Sequence, residues 1–276
     1  MSTDTPAQPT GGASSVEPEA DVKMTIWEHL DELRKRIIRA AIGTLVTTGV
    51  CWAFRVPLLA WLLVPYEHAW RARNFPGAPE LQTLSPADAF VGYLQLSIVG
   101  GVVAAAPLIF YQLWSFISPG LYSKEKRLIV PFVVFSTTLF LSGVAFAYYV
   151  AFPFTFNYFF SLLGQVSATG TVLTQRPTLE FFLDFTTRML LAFGAVFELP
   201  LFISFLAIAG IVTPQQLVKA GRWAILGSFI LGAVASPGPE VTSMLAVSCA
   251  LVVLYFLSVA VAFLVAKKPA AATPPK

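Results

Sequence analysis

This sequence predicts an all-α polytopic membrane protein with six transmembrane helices. Three observations carry that fold class. The chain of 276 residues is 56% hydrophobic and only 12% charged, where soluble domains average about 25% charged residues. Its apolar runs approach or exceed the length of about 20 residues that a helix needs to cross a bilayer, and open backbone is not tolerated in lipid. Its cations are distributed unevenly between the segments that separate those runs, which fixes an orientation.

The elements follow in chain order. Residues Met1 to Asp21 are rich in Ser, Thr, Pro, Gly and acid and have no apolar core. They read as a tail too polar to pack, with no cleavable signal peptide. Residues 1–23 are therefore predicted as a disordered cytoplasmic tail, 24–266 as a single transmembrane domain and 267–276 as a cytoplasmic C-terminal tail. The first span runs from about Ile37 to Phe54, the second from about Val91 to Leu113 and the third from about Leu128 to Phe152. The fourth covers about Phe181 to Ile211, with Pro200 as a kink because proline lacks the amide proton that a helix interior uses. The fifth, about Trp223 to Ala235, has only some 13 apolar residues, or about 20 Å of helix against a hydrocarbon core of about 30 Å. The sixth runs from about Val241 to Ala266. The fifth and sixth are expected to form a short-helix edge where the bilayer is thin.

Lys23, Arg34, Lys35, Arg36 and Arg39 precede the first span or open it, and Lys124, Lys126 and Arg127 lie between the second and third. Lys219 and Arg222 follow the fourth, and Lys267, Lys268 and Lys276 follow the sixth. The opposite side holds Arg55, Arg71, Arg73 and Arg176, and Arg188 lies within the fourth span. The excess marks the cytoplasmic face and puts both termini inside. On the other face, the segments from Arg55 to Phe90 and Pro153 to Glu180 contain Trp61, Trp70, Phe75, Tyr158, Phe159 and Phe160. Such aromatic density predicts packed caps at the membrane interface.

Several function classes fall away. A net charge of +3 is too small to point to nucleic acid. Cys51 and Cys249 lie inside apolar runs and form no disulfide framework, and His29 and His68 have no partner at metal spacing. No cofactor or metal motif is present, and neither is a His-paired Ser or Cys of a hydrolase, so the chain is not read as an enzyme. The two halves carry no inverted repeat, which weighs against a proton- or ion-coupled small-solute transporter, the alternative reading.

Five sites with acidic residues remain as candidates. Ile26, Leu30, Leu33 and Ile37 form an apolar helical stripe, with Glu28, Asp31, Glu32 and Lys35 opposite it. That polar face is either a binding surface or a solvated face satisfied by Arg34 and Arg36. Glu125 lies in an aromatic, proline-broken loop between two spans, flanked by Lys124, Lys126 and Arg127. It is either a presented ligand or an ordinary surface pair worth about 0–1 kcal/mol. Glu198 lies inside an apolar run, where a charge costs at least about 2.5–3.5 kcal/mol on insertion scales, so it is expected to face a concave, water-accessible groove. Glu180, Asp184 and Arg188 make an i, i+4, i+8 stripe, expected to be partly self-paired. Glu240, beside Pro237 and Pro239, is either a functional acid at the last turn or an anion suited to a helix start.

The order of these pieces resembles the TatC family, the core membrane subunit of the twin-arginine protein translocase. The similarity lies in His29-Leu30-Asp31-Glu32-Leu33-Arg34-Lys35-Arg36 and in Ser85-Pro86-Ala87-Asp88-Ala89-Phe90. It continues in Tyr111 to Ile117 with Pro119-Gly120-Leu121-Tyr122 and Glu125, and in Phe197-Glu198-Leu199-Pro200. The chain departs from the family at Ser236-Pro237-Gly238-Pro239-Glu240, where Thr-Pro-Pro-Asp is usual, and at Phe256, where an acid often stands. The resemblance implies a receptor that binds twin-arginine signal peptides and, with the single-span subunits TatA and TatB, exports folded proteins using the proton-motive force. It implies the cell inner membrane and a homo-oligomer within a hetero-oligomeric complex. It places signal-peptide binding at Glu32, Glu125 and Phe116 and transport at Glu198, with Glu240 as a turn or partner residue. The chemistry agrees, because a guanidinium forks onto carboxylate oxygens in a way that an ammonium cannot.

Overall fold

Long apolar runs with few helix breakers give a nearly all-helical chain. The computed structural model describes residues 26–75, 77, 79–117, 129–165, 172–173, 176–235 and 241–265. The helices among them are α1 (Ile26–Ala53), α2 (Arg55–Ala72), α3 (Pro86–Ile117), α4 (Ile129–Phe146), α5 (Phe152–Ser161), α6 (Leu179–Val196), α7 (Leu199–Ile208), α8 (Pro214–Ala235) and α9 (Val241–Val265). A π-helical turn, Ala147–Ala151, joins α4 to α5, and the two-residue strands β1 (Gly164–Gln165) and β2 (Val172–Leu173) pair antiparallel. The tails expected at 1–23 and 267–276, Glu125 and its loop, and the turn with Glu240 lie outside the described residues.

Three stretches are each long and apolar enough to cross a membrane: Pro86–Ile117, Ile129–Ser161 and Leu179–Ile208. The pair α1 and α2 passes the same test together but is bent by 80° at Phe54, and α9 contributes the shorter apolar stretch Val247–Phe263. The first four predicted spans fall on α1, α3, α4 with its π turn, and α6 with α7. The fifth falls on the second half of α8 and the sixth on α9.

Three elements differ from the sequence reading for physical reasons. The helix of the third span continues beyond Phe152 through α5, because the π turn absorbs Pro153 without ending the chain of helical turns. Helix α8 starts at Pro214, well before the apolar run at Trp223, and spans 22 residues. Thr213 and Gln216 form a reciprocal cap there: the Thr213 amide donates to Gln216 Oε1 at 2.8 Å and the Gln216 amide to Thr213 Oγ1 at 3.3 Å. A capped start lets a helix extend through polar residues that hydropathy leaves out. Third, α1 runs unbroken from Ile26 to Ala53, so the amphipathic segment and the first span are one helix. The periodicity left open which side of it meets the neighbouring helix. Leu30 and Ile37 are exposed, while Glu32, Leu33 and Arg36 are half-buried. An exposed apolar side costs nothing when lipid is the solvent, so α3 can take the side with the carboxylate.

Close approach sets that rotation. A Cβ on Gly101 of α3 would collide with the Thr48 backbone of α1, and Thr47 Oγ1 donates to the Gly101 carbonyl at 2.8 Å. Helices α4 and α6 meet in the same manner at Gly143, where a Cβ would strike the Phe193 carbonyl. Small residues at such crossings are how helices associate without a hydrophobic driving force.

Helix α2 packs on α5 and α6 through the aromatic cap expected from composition. Tyr66 is buried among Phe156, Phe160 and Phe182 with ring centroids 5.3–5.6 Å apart, and Trp70 meets Phe75 at 4.9 Å. Trp61 stacks on Tyr148 at 4.0 Å, and the Tyr148 hydroxyl donates to the Trp61 carbonyl at 2.7 Å. A smaller cluster of Ile203, Ala207, Leu217, Val259 and Ala262 ties α7, α8 and α9 together.

Candidate functional site

Of the acids to which the resemblance assigns a role, Glu32 and Glu198 are among the described residues, and they lie in different environments. The first is Glu32 on α1. Its carboxylate is clasped by Arg36 one turn later: Arg36 Nε donates to Oε1 at 2.9 Å, and the Nη2 of the same guanidinium donates to the same oxygen. The other oxygen, Oε2, is buried and has no hydrogen-bond partner among the described residues. Neighbouring Asp31 pairs with Lys35 at 2.6 Å, and that ammonium holds the Asp31 carboxyl below the usual carboxylate range. The two pairs differ in burial. Glu32 and Arg36 side chains are about one-fifth exposed (21% and 20%), against 54% and 63% for Asp31 and Lys35. The polar face is thus partly satisfied by its own cations, with Arg36 and Lys35 rather than Arg34 as the observed partners of these two acids.

Phe116 comes to this site from α3. Its ring stacks on His29 with centroids 4.5 Å apart and planes 18° from parallel. His29 and Glu32 are three residues apart and share one side of α1. The structure therefore brings Phe116 and Glu32 to one end of the α1–α3 pair, and α3 ends one residue later at Ile117. No motif signalled the His29–Phe116 stack; both residues were legible, but only helix packing pairs them. Trp114 of the same motif turns inward. It is buried, and its Nε1 donates to Ser136 Oγ of α4 at 2.7 Å.

The second position is Glu198, between α6 and α7. Helix α6 ends at Val196 and α7 begins at Leu199, with Pro200 in its first turn, so the predicted kink is a short break. Glu198 occupies the N-cap position of α7, but its side chain makes no capping hydrogen bond. It points instead toward α4, where Ser136 Oγ and the Phe140 backbone face the carboxylate. Oε1 is buried and without a hydrogen-bond partner among the described residues. Glu198 lines an open groove of about 320 Å³ between α3, α4 and α6, whose other walls are Val102, Ala106, Ile109, Phe110, Phe140 and Ala195. A half-buried acid in a wholly apolar groove can accept a hydrogen bond or hold a proton, and nothing else on those walls can.

The stripe on α6 is self-paired as expected: Arg188 Nε donates to Asp184 Oδ1 at 2.7 Å. Nearby, Gln95 Nε2 donates to Thr187 Oγ1 at 2.9 Å and links α3 to α6, a contact that the sequence reading missed because each side chain is unremarkable alone. Glu125 and Glu240 lie outside the described residues, so the geometry joins neither of them to these two positions.

The comparisons with known proteins agree with this architecture. The family model for the Sec-independent protein translocase protein (TatC) matches residues 28–250. A translocase protein TatC from Desulforapulum autotrophicum is 37% identical over 249 residues, covering 89% of this chain and 87% of the relative. One from Koribacter versatilis is 33% identical over 250 residues, covering 91% and 89%. A crystal structure described as the twin arginine translocase receptor TatC superposes with a TM-score of 0.74 at 31% identity, covering 86% of this chain and 99% of that one. The family match runs from α1 into the first part of α9 and includes both Glu32 and Glu198, so the chain belongs to the TatC family and is a membrane component of the twin-arginine protein translocase.

Proposed function

We propose that this chain is the signal-peptide receptor and core of its translocase, with Glu32, Glu125 and Phe116 forming the receptor site. The observation that supports this reading is Oε2 of Glu32, buried without a hydrogen-bond partner among the described residues at the end of the α1–α3 pair that carries Phe116. A buried carboxylate oxygen without a donor is costly, and an arginine of an incoming peptide supplies one. Glu125 follows Ile117 by eight positions in the sequence and provides the second carboxylate that a second arginine needs. Binding of a fluorescent peptide bearing Arg-Arg, compared with the same peptide bearing Lys-Lys, tests the reading. Tighter binding of the Arg-Arg peptide is expected, and equal affinity would remove the case for a guanidinium-reading site.

All six apolar helices cross the inner membrane in this reading, with both termini in the cytoplasm and residues 24–266 as one domain between the tails 1–23 and 267–276. The cation distribution supports it. In a variant lacking Cys51 and Cys249, a membrane-impermeant thiol reagent applied from outside should label a cysteine placed at Glu80 and miss one placed at Thr213. Labelling of the Thr213 position would invert the topology.

Transport is assigned to Glu198 and its groove, driven by the proton-motive force, with folded cargo as the substrate. TatA and TatB are the partners, and several copies of this chain assemble with them. The partner helix is proposed to dock at α8 and α9, where the apolar part of α8 covers only Trp223 to Ala235 and Trp223, Leu226 and Ile230 are exposed. Glu240 stands at the turn joining these helices in the sequence, and Phe256 is exposed on α9. Photocrosslinkers at Leu226 and Ile230 should capture a small single-span protein. Capture from α3 and α4 alone would move the partner elsewhere.

A further inference from the structure

We infer that Arg36 is a positioning residue of the receptor site, engaging Oε1 of the Glu32 carboxylate so that Oε2 is the oxygen left to accept from a guanidinium once the peptide opens the site. The inference rests on the reading of Glu32 as a signal-peptide ligand and adds how that ligand is held.

The asymmetry of the pair carries it. An arginine fork facing a carboxylate normally spreads over both oxygens. Here both Arg36 donors converge on Oε1, and Oε2 is buried with no partner among the described residues. An i, i+4 pair on an open helix face holds its side chains loosely. This one is only about one-fifth exposed, unlike the adjacent Asp31–Lys35 pair, which is more than half exposed. Partial burial restricts the clasp, and His29 and Phe116 of α3 stack one turn earlier on the same side of α1. The carboxylate is therefore shared: Oε1 belongs to the helix, and Oε2 is left for one donor from outside. Sharing one carboxylate between two guanidinium groups also offsets part of their mutual repulsion, so a cation at position 36 does not bar a second.

Charge and geometry predict opposite signs for loss of Arg36, and this makes the inference testable. Removing a cation from a receptor for a cationic peptide should, by Coulomb's law alone, tighten binding. Releasing Glu32 to sample other rotamers should weaken it. The experiment measures the affinity of the full-length chain in nanodiscs for an Arg-Arg signal peptide in Arg36→Ala, Arg36→Lys, Glu32→Ala and Glu32→Ala/Arg36→Ala, together with each variant's thermal midpoint.

Arg36→Ala is expected to weaken binding about tenfold, the scale of one charge-assisted hydrogen bond. The midpoint should fall, because Glu32 is left half-buried without its donors, and Arg36→Lys should recover part of both losses. The double variant should bind no worse than Glu32→Ala, because Arg36 acts only through that carboxylate. Unchanged or tighter binding by Arg36→Ala, with Glu32→Ala impaired, would overturn the positioning role and leave the receptor reading standing. Unchanged binding by Glu32→Ala would overturn both. Binding losses that add in the double variant would make Arg36 a stabilising residue only, which also overturns the inference.

Discussion

Replacing Glu125 with alanine is expected to weaken binding of an Arg-Arg signal peptide by about 2–5 kcal/mol, the usual cost of truncating one partner of a desolvated, hydrogen-bonded charge pair. Export should fall with it. Glu32→Ala should act in the same direction. Its effect belongs at the lower end of that range, because one Glu32 oxygen is already engaged by Arg36 and only the other is available to a ligand. The two losses should combine to less than their sum if both carboxylates hold one peptide. Equilibrium titration of a labelled peptide, at protein levels matched to the unaltered chain, measures each term. Full affinity in both single variants would rule out the pair as the receptor site. Raising the salt concentration should weaken binding modestly, since charges near the surface are screened within about 10 Å at 0.1 M ionic strength.

Glu198→Ala is expected to separate transport from recognition. Export should fall about tenfold or more, on the scale of one lost charge-assisted hydrogen bond, while signal-peptide affinity stays unchanged. The separation follows from the different elements that hold them: Glu198 lines the α3–α4–α6 groove, and Glu32 is clasped on α1 by Arg36. The stability effect has a definite sign. A half-buried carboxylate with one orphan oxygen is costly to hold among Phe110, Phe140 and Val102, so its removal should leave the thermal midpoint equal or raise it. Parallel measurement of export, peptide affinity and midpoint checks all three. Equal loss of export and binding together with a lowered midpoint would mark a folding defect and remove the transport role. Glu198→Gln keeps the shape and the acceptor but loses the charge, so it distinguishes hydrogen bonding from ionisation.

The sequence by itself determined the class and the inventory. Hydropathy and helix length placed the apolar helices α1, α3, α4, α6 with α7, α8 and α9 on the chain. Proline chemistry placed the break before Leu199, and aromatic composition anticipated the cap around Tyr66 and Trp70. The motifs around Glu32, Trp114 and Glu198 were legible as residues, and their order gave the family. Which side of each helix faces which neighbour was decided only by the tertiary structure. In water, an apolar stripe points inward. In a bilayer both the lipid side and the protein side are apolar, so periodicity does not separate them. That is why the pattern left open which side of α1 packs, and only the structure shows Leu30 and Ile37 exposed and Glu32 half-buried. The same cause hid the 80° bend between α1 and α2, the Gly101–Thr48 approach that sets the α1 rotation, the His29–Phe116 stack and the apolar walls of the groove expected at Glu198. Each depends on contacts between residues distant in sequence, which pack by shape and not by hydropathy. The Arg36 clasp is the intermediate case. Its i, i+4 spacing was readable, but its burial and its one-sided grip on Glu32 were not.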